Sequence, residues 1–249
     1  MNETSTVQGL RARLPLAPKH EDNFRWRGTE VSRVEGFTDA VFAFAVTLLV
    51  VSLEVPHTFD GLLDVVRALP AFIICFTLLM TFWTAHFRYH RRYGLQDGLT
   101  RVTTMAILVL VLFFVYPLKF LFTMLTVGLF QLQLHDAPKI ESPAQGDMLY
   151  LIYGLGFAGV WSLYGVLYWN ALRRREELGL DAKEILLTRL DLAGNFIYVG
   201  VCLLSILLAY TLTDTAIPGL IYFALGPLHA LNGWWFGRQV RALGRVTAG

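Results

Sequence analysis

The chain has 249 residues, of which 55% are hydrophobic, 14% aromatic and only 16% charged. Soluble domains carry about a quarter charged residues, so this composition, with a mean hydropathy of +0.51, excludes an ordinary soluble domain and describes a polytopic membrane protein. The net charge of +2 says little as a total, whereas the placement of the positive residues says much.

The first 28 residues are polar, basic and proline-containing, with no apolar run of the kind a signal peptide needs. They read as a flexible cytoplasmic tail, followed by a membrane domain over 29–240 and a short tail over 241–249. The segment 33–56, RVEGFTDAVFAFAVTLLVVSLEVP, opens on Arg33, Glu35, Thr38 and Asp39 and then runs apolar from Ala40 to Val51, interrupted by the hydroxyl of Thr47. A stretch of that length is a membrane span, and a carboxylate in its first turns costs several kcal/mol unless paired, about as much as any unpaired intramembrane charge. The groups placed to pair with Asp39 are Trp83, His86 and Arg88 at the end of the next span.

Five further apolar segments are each long enough to cross about 30 Å of hydrocarbon: 62–87 with Pro70 near its start, 101–126 with a kink expected at Pro117, 148–171, 185–210 and 216–237. The expected fold is therefore an all-α integral membrane protein of six transmembrane helices. Cys75 and Cys202 both lie in apolar runs and read as buried free thiols. Of the 21 Lys and Arg residues, 18 fall in the N-terminal tail, the connections after the second and fourth spans, and the C-terminal tail. Only Arg67, Lys119 and Lys139 fall near the opposite side. This alternation puts both termini in the cytoplasm.

On a helix of about 100° per residue, Phe37, Val41, Phe44, Leu48, Val51 and Val55 occupy a band about 80° wide, with Thr47 at its margin. Asp39 lies well away from that band, on a side expected to pack within the subunit. By periodicity alone the stripe serves lipid or a neighbouring helix equally well.

The stretch Arg33-x-x-x-Phe37-Thr38-Asp39 resembles the R-x-x-x-F-S-D signature that opens the first helix of the transmembrane protein 175 family, potassium channels of lysosomes and of many bacteria. The similarity continues through Val41, Ala43, Thr47, Leu48, Leu49 and Pro56, and into the second span at Leu69-Pro70, Phe76, Phe82-Trp83 and His86. The resemblance implies a homotetramer of the bacterial single-repeat form, in a bacterial plasma membrane, whose first helices line a central pore without a TVGYG filter. It implies a hydrophobic constriction at Phe44, with Leu48 and Val51 as further layers, and potassium preference at Thr47. It implies that Arg33, Phe37, Thr38, Asp39, Trp83 and His86 form the network that fixes the first helix. Thr38 stands where the family has serine, and Phe44 where it has an aliphatic residue. The permeant ion is potassium, no cofactor is implied, and the expected partners are further copies of the chain and membrane lipids.

Two other classes are open to the residues. His86 and His90, spaced i, i+4, share a helix face as in histidine-box metalloenzymes, but only six histidines exist in the chain and the topology scatters them. A proton- or ion-coupled transporter would draw on Asp39, Asn195, His229 and Asn232, though no internal repeat is visible. Walker, G-x-S-x-G and C-x-x-C motifs are absent from the sequence, and the basic clusters sit at membrane edges, where they serve topology and not nucleic-acid binding.

Overall fold

The computed structural model describes residues 24–52, 55–135, 137–212 and 217–246. The regular elements among them are helices: α1 (Arg33–Val51), α2 (Phe59–Arg67), α3 (Leu69–Tyr93), α4 (Gly98–Phe130), α5 (Pro143–Arg173), α6 (Ala182–Thr211), α7 (Ile217–Leu220), a 3-10 turn (Ile221–Ala224) and α8 (Leu225–Val246). Five of these, α1, α3, α4, α5 and α6, are long and apolar enough to cross a membrane.

Two expected spans are divided where proline removes a backbone donor. The segment expected over 62–87 is two helices: α2 ends at Arg67, and α3 starts at Leu69 with Pro70 in its first turn. Pro70 has no N–H for the Val66 carbonyl, so one continuous helix would lose that bond and clash there. The segment expected over 216–237 is broken into α7, the 3-10 turn and α8, because Pro227 has no N–H for the Phe223 carbonyl. Pro117, by contrast, lies inside α4 without ending it. The Tyr153 hydroxyl of α5 donates to the Pro117 carbonyl.

Packing follows a chain of neighbours. α1 lies on α3 and α4, α4 and α6 flank α5, and α8 lies on α6. Apolar side chains cannot drive helix association strongly within a bilayer, so close contact and interhelical hydrogen bonds carry it. Both devices are present. Gly154 and Gly156 of α5 accept Ile206 and the Phe114 ring at distances where a methyl group would overlap them. Tyr164 donates to the Phe82 carbonyl at 2.6 Å, the hydroxyls of Tyr93 and Thr188 meet at 2.7 Å, and Ser205 donates to the Pro218 carbonyl at 2.7 Å. Cys75 and Cys202 are buried free thiols, as expected. Many large apolar side chains face outward, among them Val102, Val109 and Phe113 of α4 and Phe196, Leu203 and Leu207 of α6. On a water-soluble monomer a surface of that kind would be an interaction site.

The connections are tied by charge. Asp97 caps α4 through its N–H groups at Leu99 and Thr100 and accepts from Asn170 of α5, with Arg174 at 3.6 Å. Burial alone would raise the Asp97 pKa. The Thr100 hydroxyl and N–H, Arg174 and Asn170 outweigh it and hold the carboxyl below its ordinary value. At the opposite end, Asp64 of α2 meets the His135 ring at 2.5 Å and Arg67 at 3.1 Å. The His135 hydrogen bond holds Asp64 below its ordinary value.

Residues 1–23 of the expected flexible tail lie outside the described residues, but 24–28 do not behave as a tail. Phe24 is fully buried against Tyr93. The N–H groups of Arg27 and Gly28 both donate to the Arg91 carbonyl at 3.1 Å. Gly28 is required there, since a β-carbon would lie 2.4 Å from the His90 carbonyl oxygen.

Gly156→Ala places a methyl 1.9 Å from the Phe114 ring. It is expected to cost about 1–3 kcal/mol, the usual penalty of overpacking a tight core, read as a lowered midpoint in thermal unfolding of the detergent-solubilised protein.

Candidate functional site

The site is the uncovered face of α1 together with the groups that hold it. The helix starts on a reciprocal cap: the Ser32 hydroxyl accepts from the Glu35 N–H at 3.2 Å, and the Glu35 carboxylate accepts from the Ser32 N–H at 2.8 Å. This satisfies two of the orphan donors of a helix start and sets an acid against the positive end of the dipole. Glu35 is only 7% exposed and lies 3.9 Å from Arg91 of α3. One turn further, the Thr38 hydroxyl is fully buried and donates to the Val34 carbonyl at 2.8 Å. At the other end the Ser52 hydroxyl donates to the Leu49 carbonyl at 2.6 Å, and the Lys119 ammonium of α4 donates to the Ser52 carbonyl. A cation there faces the negative end of the helix dipole.

Between these fastenings α1 has two unlike faces. Phe42, Ala45 and Leu49 are buried against α3 and α4. Phe37, Phe44 and Val51 are 53%, 55% and 67% exposed, Thr47 is also exposed, and Leu48 and Val41 lie half-buried at the margin. The Thr47 hydroxyl donates to the Ala43 carbonyl at 3.0 Å. Its proton is thus occupied within the helix, and its oxygen lone pairs face outward, an arrangement that can receive a cation but not an anion.

Asp39 differs from its expected setting. It is exposed in the single chain and not packed within the subunit. Of its three candidate partners Trp83 is the one it meets, with the indole N–H donating to the carboxylate at 2.8 Å. Arg88 is exposed, and His86 is buried with its ring 4.2 Å from that of His90. Arg33 is exposed and makes no ion pair or hydrogen bond among the described residues. The buried acid that fixes this end is Glu35, with Arg91 and Ser32 beside it. The S-x-x-E spacing of Ser32 and Glu35 is a cap signature legible in the sequence. Nothing local marks Arg91 or Lys119 as partners of α1.

The other readings gain little from the geometry. No third His, Cys, Asp or Glu joins His86 and His90 as a metal-ligand group among the described residues. Asn232 donates to the Leu190 carbonyl at 3.2 Å, and His229 lies against Tyr198 at 4.5 Å, in line with the Trp161–Tyr198 stack at 4.1 Å.

An apolar-surfaced helical bundle that keeps one capped, polar-anchored helix half uncovered defines an integral membrane protein whose first helix is built to face something other than its own core. The family model for the endosomal/lysosomal potassium channel TMEM175 matches residues 33–117, which span α1 through the middle of α4. The chain is 33% identical over 233 residues to a protein of Marivirga tractuosa named a potassium channel, covering 89% of this chain and 94% of that one. Among solved structures it resembles a threonine-to-alanine variant of the potassium channel MtTMEM175, bound to a nanobody–MBP fusion, with 30% identity, a TM-score of 0.71 and coverage of 93% and 99%. The fold is shared also with a homolog, from Chamaesiphon minutus, of the lysosomal potassium-selective channel TMEM175, at 22% identity and a TM-score of 0.50, covering 84% of this chain and 96% of that one. The chain belongs to the TMEM175 family, a family of channels and not of enzymes.

Trp83→Phe removes the indole donor to Asp39 while keeping a ring to stack on Phe87. The expected loss is about 1 kcal/mol, below the roughly 1.5–3 kcal/mol of a hydrogen bond to a charged group because Asp39 is exposed, measured by chemical unfolding in detergent.

Proposed function

We propose that the chain is the subunit of a potassium-preferring channel in which the uncovered faces of α1 from four copies enclose a central pore. The observation that carries this reading is the division of α1. It is pinned at both ends by hydrogen-bonded and charged groups, yet Phe37, Phe44, Thr47 and Val51 have no cover within the subunit. The relatives named potassium channels support the ion.

In this reading Phe44 is the constriction, and Leu48 and Val51 are the next layers along the path. A narrow apolar ring gates by dewetting: water leaves, and an ion then meets a desolvation barrier. A small outward tilt or rotation of α1 rewets it. Thr47, one turn beyond Phe44, offers an outward hydroxyl oxygen to a partly dehydrated cation, since its proton is held by the Ala43 carbonyl. Arg33 and Asp39 sit at the pore mouth or between neighbouring subunits, where their exposure in a single chain becomes useful.

The sixth span is formed by α7, the 3-10 turn and the first half of α8, which brings both termini to the cytoplasmic side of a bacterial plasma membrane. The channel domain covers 29–240. Lipids and further copies of the chain are its partners, potassium is its permeant ion, and it works without a cofactor.

Phe44→Ala is expected to raise the leak several-fold in reconstituted bilayers, because the widest side chain on the path is removed. Thr47→Ala is expected to lower the potassium-to-sodium permeability ratio by about fivefold, or about 1 kcal/mol, the worth of one neutral hydrogen-bonding oxygen. Reversal potentials under bi-ionic conditions read the second directly. Wild-type current and selectivity in both variants would sink the pore assignment.

A further inference from the structure

The segment just before α1 is held more tightly than anything in its sequence requires. Arg27 lies across the start of α6. Its guanidinium donates to the Glu184 carboxylate at 2.6 Å, to the Leu178 carbonyl at 2.7 Å and to the Gly179 carbonyl at 3.1 Å. The Glu184 side chain is completely buried. It also accepts from the Arg25 N–H at 2.8 Å and, as the reciprocal cap of α6, from the Asp181 N–H at 3.1 Å. An arginine with a planar fork, spread over one carboxylate and three carbonyls, the third that of Arg25 at 3.1 Å, fixes orientation in a way a single point charge does not.

The same segment reaches α1 by two routes. One is the chain itself, only four residues from Gly28 to the Ser32 cap, with Gly28 locked to α3 by its own N–H and by an Arg91 guanidinium that donates to its carbonyl at 3.0 Å. The other is a ladder of rings. Trp26 meets Phe87 edge-on at 6.2 Å, Phe87 stacks on Trp83 at 5.6 Å, and the Trp83 indole donates to Asp39 of α1 at 2.8 Å. The connection between α5 and α6 is thus joined to the first turns of α1 by residues that belong to neither.

We infer that Arg27 is a positioning residue for conduction: docked on Glu184, it holds the 24–28 segment as a clamp that keeps α1 in its non-conducting orientation. The inference rests on the reading of α1 as the pore helix. Displacement of the α5–α6 connection, by whatever acts on that face, releases the clamp and frees α1 to tilt. Arg91 contributes at both ends of the same device, through Gly28 and through Glu35.

The test uses the full-length channel in planar bilayers with two variants that act at different points. Arg27→Ala removes the dock on Glu184. Trp26→Leu, at a half-exposed side chain, cuts the ring ladder and leaves the Arg27 dock on Glu184 in place. Both are expected to raise open probability by about threefold or more, the scale on which mutations along a coupling network act, with unitary conductance and potassium-to-sodium ratio unchanged because Phe44 and Thr47 are intact. Arg27→Lys, which retains a charge for Glu184 but not the fork for the Leu178 and Gly179 carbonyls, should fall between wild type and Arg27→Ala. A purely structural role would lower the amount of assembled channel without moving open probability. Wild-type or lower open probability in either assembled variant overturns the inference, and so does failure of both to assemble by size exclusion, which would make the segment a folding element. If Phe44→Ala changes conduction and the clamp variants do not, the clamp alone is wrong. If Phe44→Ala is silent, the pore reading falls first.

Discussion

Everything distinctive about this fold depends on keeping one helix fixed while leaving half of it bare. A helix packed on only one side forgoes much of the contact that normally holds a membrane helix in place, since lipid and protein interior are nearly equivalent to an apolar side chain. α1 replaces that contact with polar anchors at its two ends. The Ser32–Glu35 cap with Arg91 holds the start, and Lys119 on the Ser52 carbonyl holds the finish. Both exploit the helix's own termini, where unpaired backbone groups and the dipole make charge worth most. The middle, Ala40 to Val51, is then free to present side chains outward without losing its place.

The rest of the bundle serves that arrangement. α3 and α4 supply the buried face against which Phe42, Ala45 and Leu49 pack. They also carry the anchors, Arg91 and Trp83 on α3 and Lys119 on α4. Behind them α5 and α6 form the most closely packed pair, with Gly154 seated on Ile206, and tyrosine hydroxyls tie each of the two to α3, Tyr164 to the Phe82 carbonyl and Tyr93 to Thr188. This rear layer backs α3 and α4, the helices that hold α1. Membership of a channel family fits this division of labour between a packed frame and one helix with a bare face.

Much of the candidate site was legible before the fold. The apolar run of α1, its stripe of Phe37, Phe44, Leu48 and Val51, and the marginal Thr47 follow from helical spacing, and the signature around Asp39 pointed to the family. Legibility ended where partners are remote in the chain. Asp39 was expected to be buried because a carboxylate in an apolar run is costly. That argument treats a single chain as if it were complete, and in the single chain Asp39 is exposed, with the Trp83 indole its one hydrogen-bond donor among the described residues. The acid that is buried, Glu35, lay in the same cluster and carried a cap spacing of its own. Arg91, 56 positions beyond Glu35 in the chain, is the cation that lies beside it, while Arg33 is exposed in the single chain.

By itself the sequence determined that this is a helical membrane protein, roughly where its apolar helices lie, and which side chains share a face of the first. Those properties depend on local composition and on the periods of the helix, which neighbours in the chain decide. Only the tertiary structure decided that Lys119 closes the end of α1 and that Phe24–Gly28 is docked on α3 and α6 and not loose. Each of those depends on which donor meets which acceptor across 60 to 160 positions of chain, and no pattern within a helix's own residues encodes that meeting.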